Sequence, residues 1–141
     1  MKTSFINTAS SAAIAATLLF NPLATSAFAA EAGDKTQFRS TQIDGLKIAY
    51  REAGDPANPT VLLLHGFPTS SHMFRNLIPE LAENYHVIAP DYPGFGASDM
   101  PDAADYEYSF ANTAAIMTKL LDQKNVGDYA VYLMDYGAPV G

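Results

Sequence analysis

The stretch TVLLLHGFP, residues 60–68, places a run of apolar residues directly before a short turn that contains a glycine. A continuous apolar run of this length is typical of a strand that is buried on both faces of a parallel sheet. Beyond the turn, apolar residues recur at intervals of three and four, which is the spacing of one face of a helix. The stretch therefore predicts a buried strand that leads through a turn into a helix.

The helix predicted after this turn has its apolar side chains at Met73, Phe74, Leu77, Ile78 and Leu81. Ser70 or Ser71 is placed to cap it, because a serine side chain accepts a hydrogen bond from a free N–H of the first turn. Pro79 lies inside the pattern and has no N–H to donate. We therefore expect one helix with a kink at Pro79.

The remaining strand patterns lie on both sides of this unit. Alternating runs at 38–43 and 46–51 flank the dipeptide Asp44-Gly45, whose residues suit the positive φ angles of a type I′ hairpin turn. Short apolar runs at 86–90 and 129–134 predict two further strands, and we expect the second of these to be buried.

A second helix pattern begins after Ser109, which is placed as its N-cap. Its predicted apolar face consists of Phe110, Thr113 or Ala114, Met117, Leu120 and Leu121. The order is then a hairpin followed by β, α, β, α and β. Strands that alternate with helices in this way form a mostly parallel sheet, so the sequence predicts an α/β fold.

Three loops follow the predicted parallel strands, and they begin at His65, Asp91 and Asp135. The carboxyl ends of parallel strands meet at one edge of a sheet, where the functional groups of α/β proteins lie. We therefore expect these loops to converge and to form the functional site.

The loop DYPGFGAS, residues 91–98, is interpreted as structural. Gly94 and Gly96 permit unusual backbone angles, and Asp91 can accept hydrogen bonds from nearby backbone. A phosphate-binding loop is disfavoured, because a third glycine and the Lys-Ser/Thr pair of that motif are missing.

The turn at Gly66 can aim the N–H of Phe67 inward, where it could stabilise a developing negative charge. The alternative is a plain turn between strand and helix. His65 belongs to this turn, His72 to the first helix and His86 to the start of a strand. Each histidine is therefore interpreted as structural rather than as a general base.

The stretch LMDYG, residues 133–137, lies where a strand should turn sharply into a helix. This is the position of a nucleophile elbow, whose usual pattern G-x-S-x-G has serine where this chain has Asp135. A carboxylate there can attack carbon directly. The alternative is that Asp135 is only a helix N-cap. Ser98, the serine of GASDM, precedes a proline rather than a helix, which disfavours serine-esterase chemistry.

Taken together, LLHGFP at 63–68, DYPGFGAS at 91–98 and MDYG at 134–137 resemble the α/β-hydrolase superfamily, and more narrowly its epoxide hydrolase and haloalkane dehalogenase branch. The resemblance implies that Asp135 attacks the substrate carbon to form an ester. A water activated by a histidine–acid pair then hydrolyses that ester. It also implies that the backbone N–H groups of Phe67 and Tyr136 form the oxyanion hole, with His65, Gly66 and Pro68 as structural parts of the motif.

The same resemblance bears on the substrate. Haloalkane dehalogenases typically carry Asn or another polar donor after His-Gly and Trp after the nucleophile, and both hold the departing halide. This chain has Phe67 and Tyr136 there, which favours an epoxide hydrolase. Leu133 stands where the family prefers Gly or Ala. The alternatives are a haloalkane or haloacid dehalogenase, or a non-catalytic truncated member of the fold.

Composition limits the partners and cofactors. The net charge is −7 and the basic residues are scattered, so we expect no nucleic-acid partner and a small-molecule substrate. The sequence contains no cysteine, which excludes a thiol nucleophile and cysteine-based metal sites. The spacing of the histidines fits no metal site, and we expect no cofactor.

The N-terminus has the pattern of a secretory signal peptide over residues 1–29, with Lys2, an apolar run at 12–20 and Ala27-Phe28-Ala29 before the cleavage point. The alternatives are an uncleaved anchor and an amphipathic leader. We expect a periplasmic or secreted protein without stable membrane association after cleavage, with a flexible lead-in at 30–37. Residues 38–141 would be the N-terminal part of the hydrolase domain, truncated after the elbow and inactive alone. The oligomeric state stays open.

Overall fold

The computed structural model describes residues 35–141. The strands are β1 (Gln37–Ile43), β2 (Leu46–Ala53), β3 (Thr60–Leu64), β4 (His86–Pro90) and β5 (Tyr129–Leu133). The helices are α1 (Leu77–Ala82), α2 (Phe110–Gln123) and α3 (Gly137–Val140), and a 3₁₀ turn (Ser71–Phe74) precedes α1. The predicted signal peptide and most of the predicted lead-in lie outside the described residues.

The strands form one five-stranded sheet in the order β1-β2-β4-β3-β5. β2 is antiparallel to both β1 and β4, whereas β3 is parallel to both β4 and β5. Only β2 therefore runs against the other strands, and the predicted α/β fold with a mostly parallel sheet is confirmed. The hairpin turn has φ angles of 51° at Asp44 and 80° at Gly45, as its sequence predicts.

The core lies on both faces of the sheet. Leu62 and Leu64 of β3 pack in one cluster with Leu120 of α2. Leu63 points to the opposite face and packs in a second cluster with Ile78 of α1. Because successive side chains of a strand alternate between faces, the apolar run of β3 supplies both layers of the core.

The helix expected after Gly66 is divided in the structure. Ser70 caps the 3₁₀ turn by accepting a hydrogen bond from the N–H of His72, and α1 begins only at Leu77. Pro79 lies in the first turn of α1 and cannot donate to the carbonyl of Arg75, four residues earlier. The prediction of a single kinked helix is therefore wrong. The hydrogen bond that Pro79 cannot donate is missing where the 3₁₀ turn ends and α1 begins.

The predicted N-cap of α2 is confirmed, since Ser109 Oγ accepts a hydrogen bond from the N–H of Asn112 at 3.2 Å. The predicted apolar face needs two corrections. Ile116 is 2% exposed and belongs to the buried face, although we had not assigned it there. Phe110 is 42% exposed, because it lies at the first position of α2 and its ring packs on Tyr136 instead of the sheet.

The expectation that 129–134 forms a buried strand is wrong in one respect. The strand exists, but every residue of β5 is exposed, with Tyr132 at 48% and Leu133 at 42%. β5 is the last strand of the sheet and pairs along one edge only, with β3. A continuous apolar run indicates a strand that can be buried, but burial also requires neighbouring elements that cover it. Within residues 35–141, β5 has a neighbouring strand along one edge only.

None of the helices between residues 35 and 141 is long and apolar enough to cross a membrane.

Candidate active site

Asp135 lies at the tip of a tight turn between β5 and α3. Its φ angle is 50°, a left-handed conformation that costs a non-glycine residue roughly 1–2 kcal/mol. The turn is closed by hydrogen bonds from Gly137 N–H to Met134 O at 2.8 Å and from Ala138 N–H to Asp135 O at 2.9 Å. The side chain of Asp135 is exposed at this tip. This strand, strained turn and helix have the form of a nucleophile elbow.

The turn after β3 lies directly against this elbow. Phe67 N–H donates a hydrogen bond to Asp135 Oδ1 at 2.9 Å. A Cβ atom added at Gly66 would lie 2.5 Å from Asp135 Cβ and 2.9 Å from Asp135 Oδ1. Only glycine fits between the two loops at this distance, so Gly66 allows the N–H of Phe67 to reach the carboxylate. The Phe67–Pro68 peptide bond is cis.

The elbow also packs tightly on β3. Met134 N–H donates to Leu64 O at 3.1 Å, and a Cβ atom at Gly137 would lie 2.5 Å from the same oxygen. Leu133, which replaces the small residue preferred by the family, directs its side chain toward Gly141, where an added Cβ would lie 2.4 Å from Leu133 Cδ2. The elbow therefore forms with leucine at this position.

Tyr136 follows Asp135 and is the N-cap residue of α3, without a side-chain capping bond. Within residues 35–141, its N–H has no hydrogen-bond acceptor. Of the two predicted oxyanion-hole donors, Phe67 N–H bonds the carboxylate directly and Tyr136 N–H follows Asp135 in the chain. Donors held in this way can stabilise negative charge that develops beside them.

His65 is fully buried behind the turn. Its ring stacks on Tyr92 with a centroid distance of 4.0 Å. Nδ1 lies 3.0 Å from Gly66 O, and Nε2 accepts the N–H of Tyr92 at 3.3 Å, so the neutral ring with a proton on Nδ1 satisfies both contacts. Burial lowers the pKa of His65, although the Gly66 bond and the charge of Asp91 oppose it. Both ring nitrogens hold backbone in place.

Asp91 fixes the loop after β4. Its Oδ1 accepts the N–H of Ser71 at 2.7 Å and its Oδ2 accepts the N–H of Ala97 at 2.9 Å. Gly96 has a φ angle of 56°, and an added Cβ would lie only 2.1 Å from Asp91 Oδ2. Gly94, with φ 85°, lies against the ring of Tyr108. The buried carboxylate is therefore bonded to backbone on two loops.

The other two histidines do not approach Asp135. His72 Nδ1 lies 3.2 Å from Arg51 Nη2 on the surface. His86 begins β4 and bonds Glu52 Oε1 at 2.8 Å, near the end of the sheet opposite to the elbow. In the part of the chain that the structure describes, no histidine is placed to activate a water beside Asp135.

A cavity of about 510 Å³ lies beside the elbow. Phe67 and Tyr136 form its side nearest Asp135, and Asp135 itself is not part of the wall. The cavity is bounded mainly by the aromatic rings of Phe67, Tyr92, Phe95, Tyr108, Phe110 and Tyr136. It is therefore an apolar space next to, rather than around, the carboxylate.

Comparison with known proteins agrees with this geometry. The family model described as alpha/beta hydrolase fold matches residues 59–141. The chain belongs to the α/β-hydrolase family. An uncharacterized hydrolase, YNR064C, of Saccharomyces cerevisiae is 53% identical over 106 residues, which cover 74% of this chain and 36% of the relative.

Two further relatives of this α/β hydrolase lie in the predicted branch. A haloalkane dehalogenase of Bradyrhizobium diazoefficiens is 39% identical over 72% of this chain and 32% of the relative. The crystal structure of epoxide hydrolase A from Mycobacterium thermoresistibile aligns with a TM-score of 0.69 at 36% identity, covering 75% of this chain and 33% of that one. The chain thus spans about a third of the length of these relatives, and its resemblance to the branch is confirmed.

Sequence reasoning brought the three loops of this α/β hydrolase to one edge but missed part of the cavity. Tyr92 was quoted only as part of a structural loop, and Tyr108 was not singled out. Phe110 was assigned to the face of α2 that covers the sheet. Hydrophobic periodicity does not distinguish a residue that lines a cavity from one that packs in the core. The sequence pattern therefore could not assign a tyrosine after a strand, or a phenylalanine at the start of a helix, to the cavity.

Proposed function

We propose that the full-length protein is a hydrolase in which Asp135 attacks an epoxide carbon and forms an alkyl-ester intermediate. The observation that carries the proposal is the hydrogen bond from Phe67 N–H to Asp135 Oδ1, at the tip of the strained turn. It holds the carboxylate at the carboxyl edge of the sheet, where α/β enzymes bind their ligands.

The contacts of Asp135 argue against a role as helix cap alone. An N-cap side chain accepts a hydrogen bond from an N–H of the first helical turn. Asp135 Oδ1 instead accepts the N–H of Phe67 from another loop, while the N–H of Ala138 goes to the main-chain carbonyl of Asp135. The N-cap position of α3 belongs to Tyr136.

The proposed reaction has two steps. A carboxylate oxygen of Asp135 forms a bond to an epoxide carbon, the C–O bond of the ring breaks, and the released alkoxide takes up a proton. Water then adds to the carbonyl carbon of the ester, and the alcohol leaves as a diol. In this mechanism the N–H groups of Phe67 and Tyr136 stabilise the oxyanion of the second step, and the bond from Phe67 N–H to Asp135 Oδ1 supports the assignment of Phe67.

Epoxide chemistry is preferred over halide release because of the side chains beside the carboxylate. Neither the Phe67 nor the Tyr136 side chain carries an N–H. Dehalogenation remains the second candidate, since a 39% identical relative is a haloalkane dehalogenase. Incubating the full-length protein with styrene oxide and with 1-chlorobutane, and measuring diol and chloride, separates the two. Chloride release without diol would reverse the preference.

The nucleophile assignment is tested by Asp135→Asn and Asp135→Ala in the full-length protein. We expect kcat to fall by roughly a thousandfold or more, because removing a covalent nucleophile removes its reaction path. The exposed Asp128 lies in the turn before β5 and provides the matched control Asp128→Asn. If Asp135→Asn keeps full activity, the proposal is wrong. If the wild type hydrolyses no epoxide or halide, the protein is the non-catalytic member considered above.

We further propose that the protein is exported and that residues 1–29 are removed. The pattern Ala27-Phe28-Ala29 supports cleavage before Ala30. Mass spectrometry of the protein expressed in its natural host should give Ala30 as the first residue in the extracytoplasmic fraction. Ala27→Arg should block this processing. An intact Met1 on the wild-type protein would contradict the proposal.

A further inference from the structure

The fraction of aromatic residues is much higher in the lining of the cavity beside Asp135 than in the chain as a whole. Six of its ten lining residues are Phe or Tyr, whereas aromatic residues make up 11% of the sequence. We propose that this cavity binds an aryl group, so that aryl-substituted epoxides are the preferred substrates. This inference rests on the proposed function, whose substrate class it narrows.

The rings of the wall are oriented to receive another ring. Phe110 meets Tyr136 edge to face, with centroids 5.1 Å apart and planes at 87°. Phe67 and Tyr136 lie 5.6 Å apart with planes at 32°, and Phe95 meets Phe67 at 89°. The wall therefore offers both ring faces and ring edges. Aromatic pairs prefer offset-stacked and edge-to-face contacts, and each such contact adds to the effect of simple burial.

Three polar side chains of the wall are already engaged in hydrogen bonds. Tyr108 OH donates to Pro101 O at 2.7 Å, Ser109 Oγ accepts the N–H of Asn112, and Thr113 Oγ1 donates to Ser109 O at 2.9 Å. The hydroxyl of Tyr92 is buried and has no hydrogen-bond partner among residues 35–141, and burial raises its pKa. Among residues 35–141, no lysine, arginine, aspartate or glutamate lines the cavity. A charged substituent would thus lose its hydration without gaining a partner of opposite charge there.

Size and position limit where the aryl group sits. A cavity of about 150 Å³ can hold benzene, so about 510 Å³ accommodates a substituted or fused ring. Phe67 and Tyr136 separate the cavity from the carboxylate, and Phe67 N–H is 2.9 Å from Asp135 Oδ1. Because both residues also adjoin Asp135, an aryl ring in the cavity is held next to the candidate nucleophile.

The test compares paired ligands on the full-length protein. Calorimetry measures binding of 1-phenylethane-1,2-diol and of 1,2-butanediol, and kinetics compares styrene oxide with 1,2-epoxybutane. We expect the phenyl diol to bind at least about tenfold more tightly, as burial of a ring between aromatic residues implies. Phe110→Ala should lower the ratio of kcat/KM for styrene oxide to that for 1,2-epoxybutane by about tenfold.

Phe110→Leu keeps bulk at the start of α2 and should lower the same ratio in the same direction, which protects the test if the alanine variant folds poorly. Phe38→Ala is the matched control, because Phe38 is 72% exposed on β1 and lies outside the cavity. Equal binding of the two diols, or an unchanged ratio in both Phe110 variants, overturns the inference even if epoxides are hydrolysed. Selective binding of the phenyl diol without any turnover supports the aryl site and overturns the proposed function instead.

Discussion

The N–H of Phe67 donates a 2.9 Å hydrogen bond to Oδ1 of Asp135, across 68 positions of the chain. The contact joins the loop after β3 to the turn after β5, which pair as parallel neighbours from Thr60↔Tyr129 to Leu64↔Leu133. Because adjacent parallel strands end at the same edge of the sheet, two residues far apart in sequence meet there. The register of these strands is therefore what positions the candidate site.

Gly66 is the first test of this contact. Ala at this position would place a Cβ atom 2.5 Å from Asp135 Cβ, so the two loops must separate. We expect Gly66→Ala in the full-length enzyme to lower kcat/KM by about a hundredfold, since displacement of a reacting group by about 1 Å can cost that much. Stability should fall by about 1–3 kcal/mol.

Steady-state kinetics and thermal unfolding measure the two effects. Gly127→Ala is the matched control, because an added Cβ there meets no atom within 4 Å. Wild-type kcat/KM in Gly66→Ala would mean that the Phe67–Asp135 contact does not position the nucleophile.

His65 gives a prediction about protonation. Its Nε2 accepts the N–H of Tyr92 and therefore carries no proton in the folded protein. Burial lowers the pKa of His65. Over the pH range between the folded and unfolded pKa values, the ring is therefore neutral in the folded protein and protonated in the unfolded chain. The resulting stability is fully present above the unfolded pKa of about 6.5 and is lost as pH falls below it.

Nitrogen chemical shifts of His65, measured by NMR at neutral pH, should show a proton on Nδ1 only, and their titration should give a pKa below the ordinary value of about 6.5. Protons on both ring nitrogens at that pH would contradict the assignment. His65→Phe should unfold more easily, by roughly 1–3 kcal/mol, because it leaves buried backbone groups without partners.

The positions of the strands could be predicted because local chemistry marks their ends. Thr60–Leu64 is an apolar run between a proline-rich turn and His65-Gly66, and its bounds in the structure are those expected. Asp44-Gly45 likewise specifies its own turn. The Phe67–Asp135 contact was implied only through resemblance and topology, since no local pattern reports a distance between loops.

Burial was harder to predict than secondary structure. The run at Tyr129–Leu133 has the same apolar character as Thr60–Leu64, yet β5 is exposed and β3 is buried. The difference lies in their neighbours: β3 pairs on both sides, and β5 on one. Phe110 differs from Leu120 for a similar reason, because each position along α2 faces a different surface.

Glu52 makes the stability of the fold sensitive to acid. Its Oε1 lies 2.8 Å from His86 Nε2 and 2.7 Å from Lys124 Nζ, and its Oε2 lies 2.8 Å from Arg39 Nε. Burial acts most strongly and raises the pKa of Glu52, but the hydrogen bonds from Lys124 and His86 and the charges of Lys124 and Arg39 together outweigh it and lower the pKa. The ionised carboxylate is thus favoured by folding.

Because the folded pKa lies below the unfolded one, this stability is present above the unfolded pKa of about 4.3 and is lost as pH falls through the folded value. Glu52→Gln should lower the free energy of unfolding at neutral pH by roughly 2 kcal/mol, and less in acid. Urea unfolding at both pH values measures this, with the exposed Glu83→Gln as control. An equal loss at both pH values would mean that the charge of Glu52 is unimportant.

The route of the hydrolytic water distinguishes a nucleophilic Asp135 from one that only activates water. In the ester mechanism, water adds to the carbonyl carbon of Asp135, so one carboxyl oxygen of the enzyme comes from solvent and the diol keeps the former aspartate oxygen. With excess full-length enzyme, one turnover of styrene oxide in H₂¹⁸O should therefore label the peptide that contains Asp135 and leave the diol unlabelled. A general base would give labelled diol and an unlabelled peptide, because water would then attack the epoxide directly. The peptide that contains Asp99, whose carboxylate bonds Lys47 N–H, should stay unlabelled in either case and controls for exchange.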